Sequence, residues 1–509
     1  MKRTTTLTAV AVCASAVVGL GALGNSAQAD PIGAPAQRVL VAQGSDTTQD
    51  VMNGFADAIV ANGTDYKATG LLHDAAAIGD TSIKTSLLPT AGSTITIDSG
   101  ANAETVTVSA ITGTASAFNP VGPVAAVNFN TLTVSALTKA HAVNAIVVGA
   151  AVPAGTKVIA SYNSVGGAFT TKSNANCQYV ANNAAPGNNY TGTTQNGATA
   201  SGVNTTFLSG GRANGSGVGA SSLGDSYTPT SALWGCTDVG RASSKRSNVT
   251  GLGAGNAVNI PFAIDAVDFA VTTTSNFSRK LGFDALKAIY RCTFPGMIPA
   301  TQNLGGLSAQ DFAAANGALY ATIPQAGSGT RAFVVGALGL TESTTVASGN
   351  TGAACITDKT PTGGVLEEHD LRTLDDNGIG VTSVAQSITQ RAQAVSGVSD
   401  KQGRTVLVAV DNRSAANGGP VGAVGTNNGK LNYAVTMSNQ FGGGTGNAAG
   451  ALVLWRDVFN VVPLNRLADP NIQAAFVGAG SSLCTDATGV LSQYGFAPNP
   501  SCGITTNVG

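Results

Sequence analysis

Three strand-to-helix junctions made of glycine and hydroxyl residues constrain this chain more than any other feature. At the first, Arg38-Val39-Leu40-Val41-Ala42 reads as a strand. Gly44-Ser45-Asp46-Thr47-Thr48 then opens a helix that carries Val51, Met52, Phe55 and Ile59 on one face and stops at Asn62-Gly63. At the second, Asn214-Gly215-Ser216-Gly217-Val218-Gly219 runs into Ala220-Ser221-Ser222-Leu223. At the third, the strand-like Leu319–Ile323 gives way to Ala326-Gly327-Ser328-Gly329-Thr330-Arg331 and the apolar run Phe333–Leu338. A strand that breaks at glycine and restarts as a helix leaves backbone N–H groups unpaired at the positive end of the helix dipole. With hydroxyls beside them, those donors form a ready anion seat. One such loop alone reads first as a capped surface helix. The expectation with functional content is that the three converge on one small ligand.

The rest of the chain sets the context. At 509 residues it is long enough for several domains. Only 10% of residues are charged and the net charge is -1, so nothing points to nucleic acid or to a charged tail. With 65 glycines and 5% aromatics, the composition favours turns, β-structure and small-residue packing over a coiled coil. Residues 1–29 read as a signal peptide: Lys2-Arg3, an apolar run from Leu7 to Leu23, and Ala27-Gln28-Ala29 ahead of Asp30. Val12 before Cys13 fits lipoprotein cleavage poorly, so the expectation is a secreted, extracellular or wall-associated protein without a lipid anchor.

Six cysteines follow: Cys177, Cys236, Cys292, Cys355, Cys484 and Cys502. An even number in an exported chain points to disulfides, with fifteen possible connectivities. Pairing in sequence order is expected because each pair then closes a local segment. No C-x-x-C spacing occurs, and the histidines stand only at 73, 141 and 369, so no metal and no cofactor is expected.

From Leu71 to about Pro153 the texture changes. Ser93–Asp98, Glu104–Val108, Thr131–Val134 and Asn144–Val148 alternate with period two, which reads as an inserted all-β module. Asp98, Glu104 and His141 are taken as exposed strand-end residues. Residues 175–235 read as a Gly/Asn-rich loop stapled by Cys177 and Cys236. Beyond it, Asn259–Val271, Thr405–Val410 and Leu452–Trp455 read as strands, and Phe283–Tyr290 as an amphipathic helix. Alternating strands and helices imply an α/β body.

The order of these pieces resembles the PstS-like substrate-binding proteins of phosphate ABC transporters, in an actinobacterial-type wording. The matching stretches are Gly44–Met52, Asn214–Gly219, Asp238–Ser244, Ile264–Val271, Phe283–Tyr290, Gly327–Thr330 and Gly378–Val381. The resemblance implies an α/β, two-lobed type II periplasmic-binding-protein-like fold carrying the inserted all-β module. Its first lobe would take residues 30–70, 154–271 and 386–509, the module 71–153, and the second lobe 272–385, with crossings near Val267–Val271 and Val381–Ile388. It implies ligand contacts from Ser216, Ser328, Gly329 and Thr330, with Asp46, Thr47 and Thr48 at the first loop and Ser243 where the family has an aspartate. The family's arginine and a second aspartate fall on Pro324 and Ala326 here, so Arg241 or Arg331 is expected to supply the missing charge. Asp46 could take a proton from a protonated oxyanion or cap its helix.

The function implied is a monomeric, non-enzymatic binder that captures a small oxyanion, phosphate foremost, for an ABC transporter permease. A cell-surface structural or adhesion protein retaining the fold is the alternative. A hydrolase has little support, since no G-x-S-x-G occurs and His369, in Glu367-Glu368-His369-Asp370, is read as an exposed loop histidine.

Overall fold

One sixteen-residue strand, Ala257–Thr272, organises the molecule. Its sequence is apolar on both faces, as a strand buried between layers requires. The computed structural model describes residues 38–114, 129–163, 169–170, 177–179, 213–231, 233–247, 249–341, 353–364, 366–392, 398–411, 426–427, 430–431 and 454–506. Residues 1–29, expected to be a signal segment and including Cys13, lie outside these residues, as does most of the Gly/Asn-rich loop.

The long strand changes partner half-way. From Ala257 to Ala266 it pairs antiparallel with Trp455–Pro463, and from Val267 to Val271 with Gly378–Ser383. Its register slips between Pro261 and Ala263, where the proline has no N–H to give the ladder. The first half joins a sheet that continues through Val239–Ala242, Leu40–Gly44 and Ile159–Ser161; the second half continues through Tyr320–Thr322 and Ile356–Thr357. Each half carries its own core. Leu40, Val51, Phe55, Phe262, Val458 and Phe476 pack in one, and Val267, Phe269, Leu286, Tyr320, Val334 and Ile379 in the other. The molecule is therefore two α/β lobes sharing a strand.

Residues 67–151 supply a separate six-stranded antiparallel sheet with its own apolar core, including Ile83, Ile95, Val106, Val108 and Leu132. The period-two alternation read from the sequence is the inward-outward alternation of these strands: along Glu104–Val108 the odd and even positions are exposed and buried in turn. The three disulfides are Cys177–Cys236, Cys292–Cys355 and Cys484–Cys502, the sequence-order pairing. Among the described residues no helix is long and apolar enough to cross a membrane.

Several expectations need correction. Residues 405–411, expected in the first lobe, pair with Ala270–Thr272 and Lys280–Gly282 in the second. They form two short strands broken at Val408, whose N–H turns to Phe269 O at 2.8 Å. The chain must therefore cross a third time, beside the long strand, where Val267 N donates to Leu454 O at 2.8 Å. The strand expected at Leu452–Trp455 is Trp455–Pro463; residues 452–453 lie outside the described set. It runs on past Arg456 and Asp457 because both find partners, Asp265 at 3.0 Å and Asn499 at 2.8 Å.

The β-module residues Glu104 and His141 are buried, not exposed. The segment after Leu137 folds over the strand end. Glu104 accepts from Thr138 N–H (2.6 Å) and hydroxyl (2.8 Å) and from Lys139 N–H (3.1 Å). His141 bridges Glu104 at 3.1 Å and Asp98 at 3.4 Å. Burial pushes Glu104 up, but these hydrogen bonds outweigh it and hold the carboxyl down at about 2, against an ordinary 4.5.

Two measurements follow from this architecture. A folded-state value below the unfolded one stabilises above pH 4.5, and that stabilisation is lost as pH falls toward 2. Glu104→Gln is expected to lower stability at neutral pH and to flatten its dependence between these limits, read from denaturant titrations. Loop-closure entropy gives about 3 kcal/mol for Cys484–Cys502 and about 4 kcal/mol for each longer bridge. Serine pairs at 292 and 355 should therefore lower the unfolding midpoint more than serine pairs at 484 and 502.

Candidate functional site

Gly44 and Gly329 bring the junctions together. Gly44 has φ +131°, and a Cβ on it would lie 2.4 Å from Arg241 O, so only glycine lets the first loop lie against its neighbouring strand. A Cβ on Gly329 would lie 2.3 Å from Ser243 Oγ and 2.4 Å from Ser216 Oγ. The third junction thus packs directly on the second, and Gly217 N donates across the lobes to Gly327 O at 3.1 Å. Ser216 Oγ accepts from Ser243 N at 2.9 Å and stands 3.2 Å from Ser243 Oγ. The lobes are closed on one another here.

Thr47 and Thr330 face each other across this closure, their hydroxyls 3.2 Å apart and both residues fully buried. Thr47 lies in the 3-10 turn Asp46–Thr48 that opens the helix Gln49–Ala58. Thr330 lies in the first turn of Gly329–Ala337, whose N-cap is Ser328, accepting from Arg331 N at 3.0 Å. So Ser328 does cap its helix.

The charge between these hydroxyls comes from a residue the sequence reading did not select. Arg456, from the C-terminal strand, donates through Nη2 to Thr330 Oγ1 at 2.9 Å and Thr47 Oγ1 at 3.3 Å. The same nitrogen and Nε hold Asp265 Oδ2 at 3.0 and 3.3 Å. Asp265 also accepts from Ser383 Oγ (2.8 Å) and Ala385 N (3.2 Å). Arg456 Nη1 is buried without a hydrogen-bond partner. A signal existed: Arg456 interrupts the apolar neighbourhood of Leu454, Trp455, Val458 and Phe459, and an arginine there must find a partner if that stretch is buried. The expected cations go elsewhere. Arg331 pairs with Asp358 at 2.9 Å and Pro324 O at 3.1 Å, inside the second lobe. Arg241 binds Ser161 Oγ and Gly44 O, behind the first loop.

A third group completes the arrangement. Segment 366–371 enters the closure and delivers Glu367, Glu368 and His369. Glu368 Oε2 accepts from Thr47 N at 3.3 Å and Thr47 Oγ1 at 3.0 Å, and Oε1 from Thr330 N at 3.5 Å. Burial pushes its pKa up, but His369, the Ser328 hydroxyl and the charge of Arg456 together bring it well below the usual range, so Glu368 is ionised. Its neighbour Glu367 goes the other way. Burial raises it despite Asn214 Nδ2 at 2.8 and 3.0 Å and a hydrogen bond with Asp46. A hydrogen bond between two carboxyls requires a proton on one, and the raised Glu367 is suited to hold it.

His369 is buried, which overturns the exposed-loop reading. Its backbone is left-handed, φ +62°, a conformation that is costly for a residue with a Cβ. Nδ1 accepts from Ser383 N at 2.9 Å, so the neutral ring carries its proton on Nε2, 2.9 Å from Thr47 Oγ1. A ring of this tautomer donates to Thr47 and cannot take its proton, so the contact is not a nucleophile–base pair.

The structure thus gathers Asp46, Thr47, Ser216, Ser243, Ser328, Gly329 and Thr330 at one closure. Thr48 caps back on Ser45 O at 3.4 Å, and Arg241 and Arg331 stand behind it.

No family model and no curated protein matches the chain. Solved structures do. An ABC-type phosphate transport receptor from Vibrio cholerae is 15% identical, with 58% of this chain and 89% of that chain covered and a TM-score of 0.30. A human phosphate binding apolipoprotein is 16% identical, covering 57% and 85%, at 0.31. A phosphate binding protein from Stenotrophomonas maltophilia is 14% identical, covering 58% and 85%, at 0.28. Likeness at this level transfers no residue role.

Removing Arg456 would strand Asp265 as an unpaired buried charge. Arg456→Met should cost about 3–5 kcal/mol in a urea titration. Adding Asp265→Asn to it should cost much less than the sum of the two single changes, because both remove the same interaction.

Proposed function

We propose that this protein is a non-enzymatic solute-binding protein that holds a small oxyanion between its two lobes. The observation that carries the reading is the meeting of Thr47 and Thr330 with Arg456. Two helix starts from opposite lobes present N–H and hydroxyl donors to one point, and a buried guanidinium with a free Nη1 stands over it. Such a seat is complete only when the lobes are closed, which is the logic of a hinged receptor.

Phosphate is the ligand favoured by the resemblance of the loops. A protonated oxyanion would find a proton acceptor nearby in Asp46, whose carboxylate already shares a hydrogen bond with Glu367. Ser216, Ser243 and Ser328 line the same closure and supply neutral hydroxyl contacts. Delivery to an ABC-type permease is the transport role proposed. Three disulfides fit function in an oxidising compartment outside the cytoplasm.

Thermal melts in phosphate, sulfate, nitrate and small carboxylates test the reading. One anion should raise the melting temperature, by about 2.7 kcal/mol of added stability at 100 times its dissociation constant. Thr330→Val should abolish that response. A flat panel would favour a structural or adhesive surface protein that retains the fold.

A further inference from the structure

The seat described above is occupied in the closed protein, and by the chain itself. We infer that Glu368 is an internal ligand: its carboxylate fills the oxyanion seat, clasps the lobes together, and must be displaced before an external anion binds. The inference rests on the oxyanion reading of that seat.

The geometry is that of a bound anion. Glu368 spans the lobes with its two oxygens, one on the Thr47 N–H and hydroxyl of the first, the other on the Thr330 N–H of the second. The groups that hold its carboxylate donate or carry positive charge: two backbone amides, the Thr47 and Ser328 hydroxyls, His369 Nε2 at 3.5 Å and Arg456; the adjacent Glu367 carboxyl is a like-charged neighbour, itself raised in part by Glu368. These are the donors an oxyanion would need, so the two occupants are mutually exclusive.

The segment that carries Glu368 is built as an insert and not as part of either core. It belongs to neither sheet, lying between Ile356–Thr357 and Gly378–Ser383. Its backbone is held by Gln325 N on Leu366 O at 3.0 Å, Leu366 N on Asp358 O at 3.0 Å and Leu371 N on Lys401 O at 2.8 Å. Between those anchors, His369 takes the left-handed backbone that turns Glu368 inward. Asn214 holds the adjacent Glu367, so the insert is tied to the first lobe from a second point. Withdrawing 367–369 would vacate the seat without breaking any strand-to-strand pairing, at the cost of the Ser383 N bond to His369 Nδ1 and the Gln402 Nε2 bond to His369 O.

The test measures anion affinity and lobe closure together in the unaltered protein, Glu368→Ala and the near-isosteric Glu368→Gln. Phosphate and sulfate are the probes, by calorimetry, and small-angle scattering reads the closure. Circular dichroism confirms folding of each variant. The expected result is a larger radius of gyration for both variants without anion, its recovery on adding phosphate or sulfate, and at least tenfold tighter binding than in the unaltered protein. Weaker binding by both variants than by the unaltered protein overturns the inference, since Glu368 would then be a contact to the ligand, and leaves the oxyanion reading standing. Variants that open while no protein binds either anion support the clasp and overturn the oxyanion reading instead. Variants as compact as the unaltered protein, with unchanged affinity, overturn the inference.

Discussion

The Arg456–Asp265 pair is the interaction on which the rest of the site depends. Asp265 sits on the long shared strand one residue before its change of partner, and Arg456 lies opposite on the C-terminal strand. Both are buried, and neither could be there alone, since an isolated charge in such surroundings costs several kcal/mol. Asp265 takes Arg456 Nε and one side of Nη2, and the other side of the same Nη2 reaches the two threonines. The carboxylate therefore fixes where the positive charge stands, and the positive charge fixes where a negative one can sit. Because Asp265 also binds Ser383 and Ala385 at the chain's return from the second lobe, the same ion pair ties that return to the Thr47–Thr330 contact.

How much of this was legible in the sequence follows from range. The junction loops are local: glycine, a hydroxyl and an apolar run within ten residues announce a helix start, and all three formed where expected. The alternation of the β-module is local too. What was not legible is what reaches across the chain. Arg456 meets Thr47, Thr330 and Asp265 at sequence separations of 409, 126 and 191, and no periodicity encodes such a meeting. The resemblance directed attention to Arg241 and Arg331 because they neighbour the loops, yet each had a nearer partner to satisfy.

Glu104 and His141 failed for a related reason. Alternation says which face of a strand a residue occupies, but not what covers that face. Glu104 is buried at the strand end because the segment at Thr138–Lys139 turns its amides onto the carboxylate. His369 repeats the lesson within the site. A histidine flanked by acids looks solvated, whereas here Glu368 and His369 are inward and Asp370, paired with Arg372, is the member that faces out.

The self-filled seat resolves a difficulty that any donor-lined interlobe site poses. Closing two lobes over unpaired N–H and guanidinium groups costs about 1–3 kcal/mol for each buried group left without a partner. A receptor avoids this by staying open until ligand arrives, or by supplying a substitute. Glu368 is a substitute attached to the chain, so it competes at a fixed effective concentration that dilution does not reduce. The consequence for affinity is a simple factor. If the withdrawn state holds about 1% of the population, the apparent dissociation constant rises about 100-fold over that of the vacant seat. Only an anion that gains more from these donors than one carboxylate does can open the clasp. Under the proposed oxyanion reading, a doubly charged tetrahedral anion, with four oxygens for Arg456, the threonines and the serines behind them, would meet that condition better than a second carboxylate.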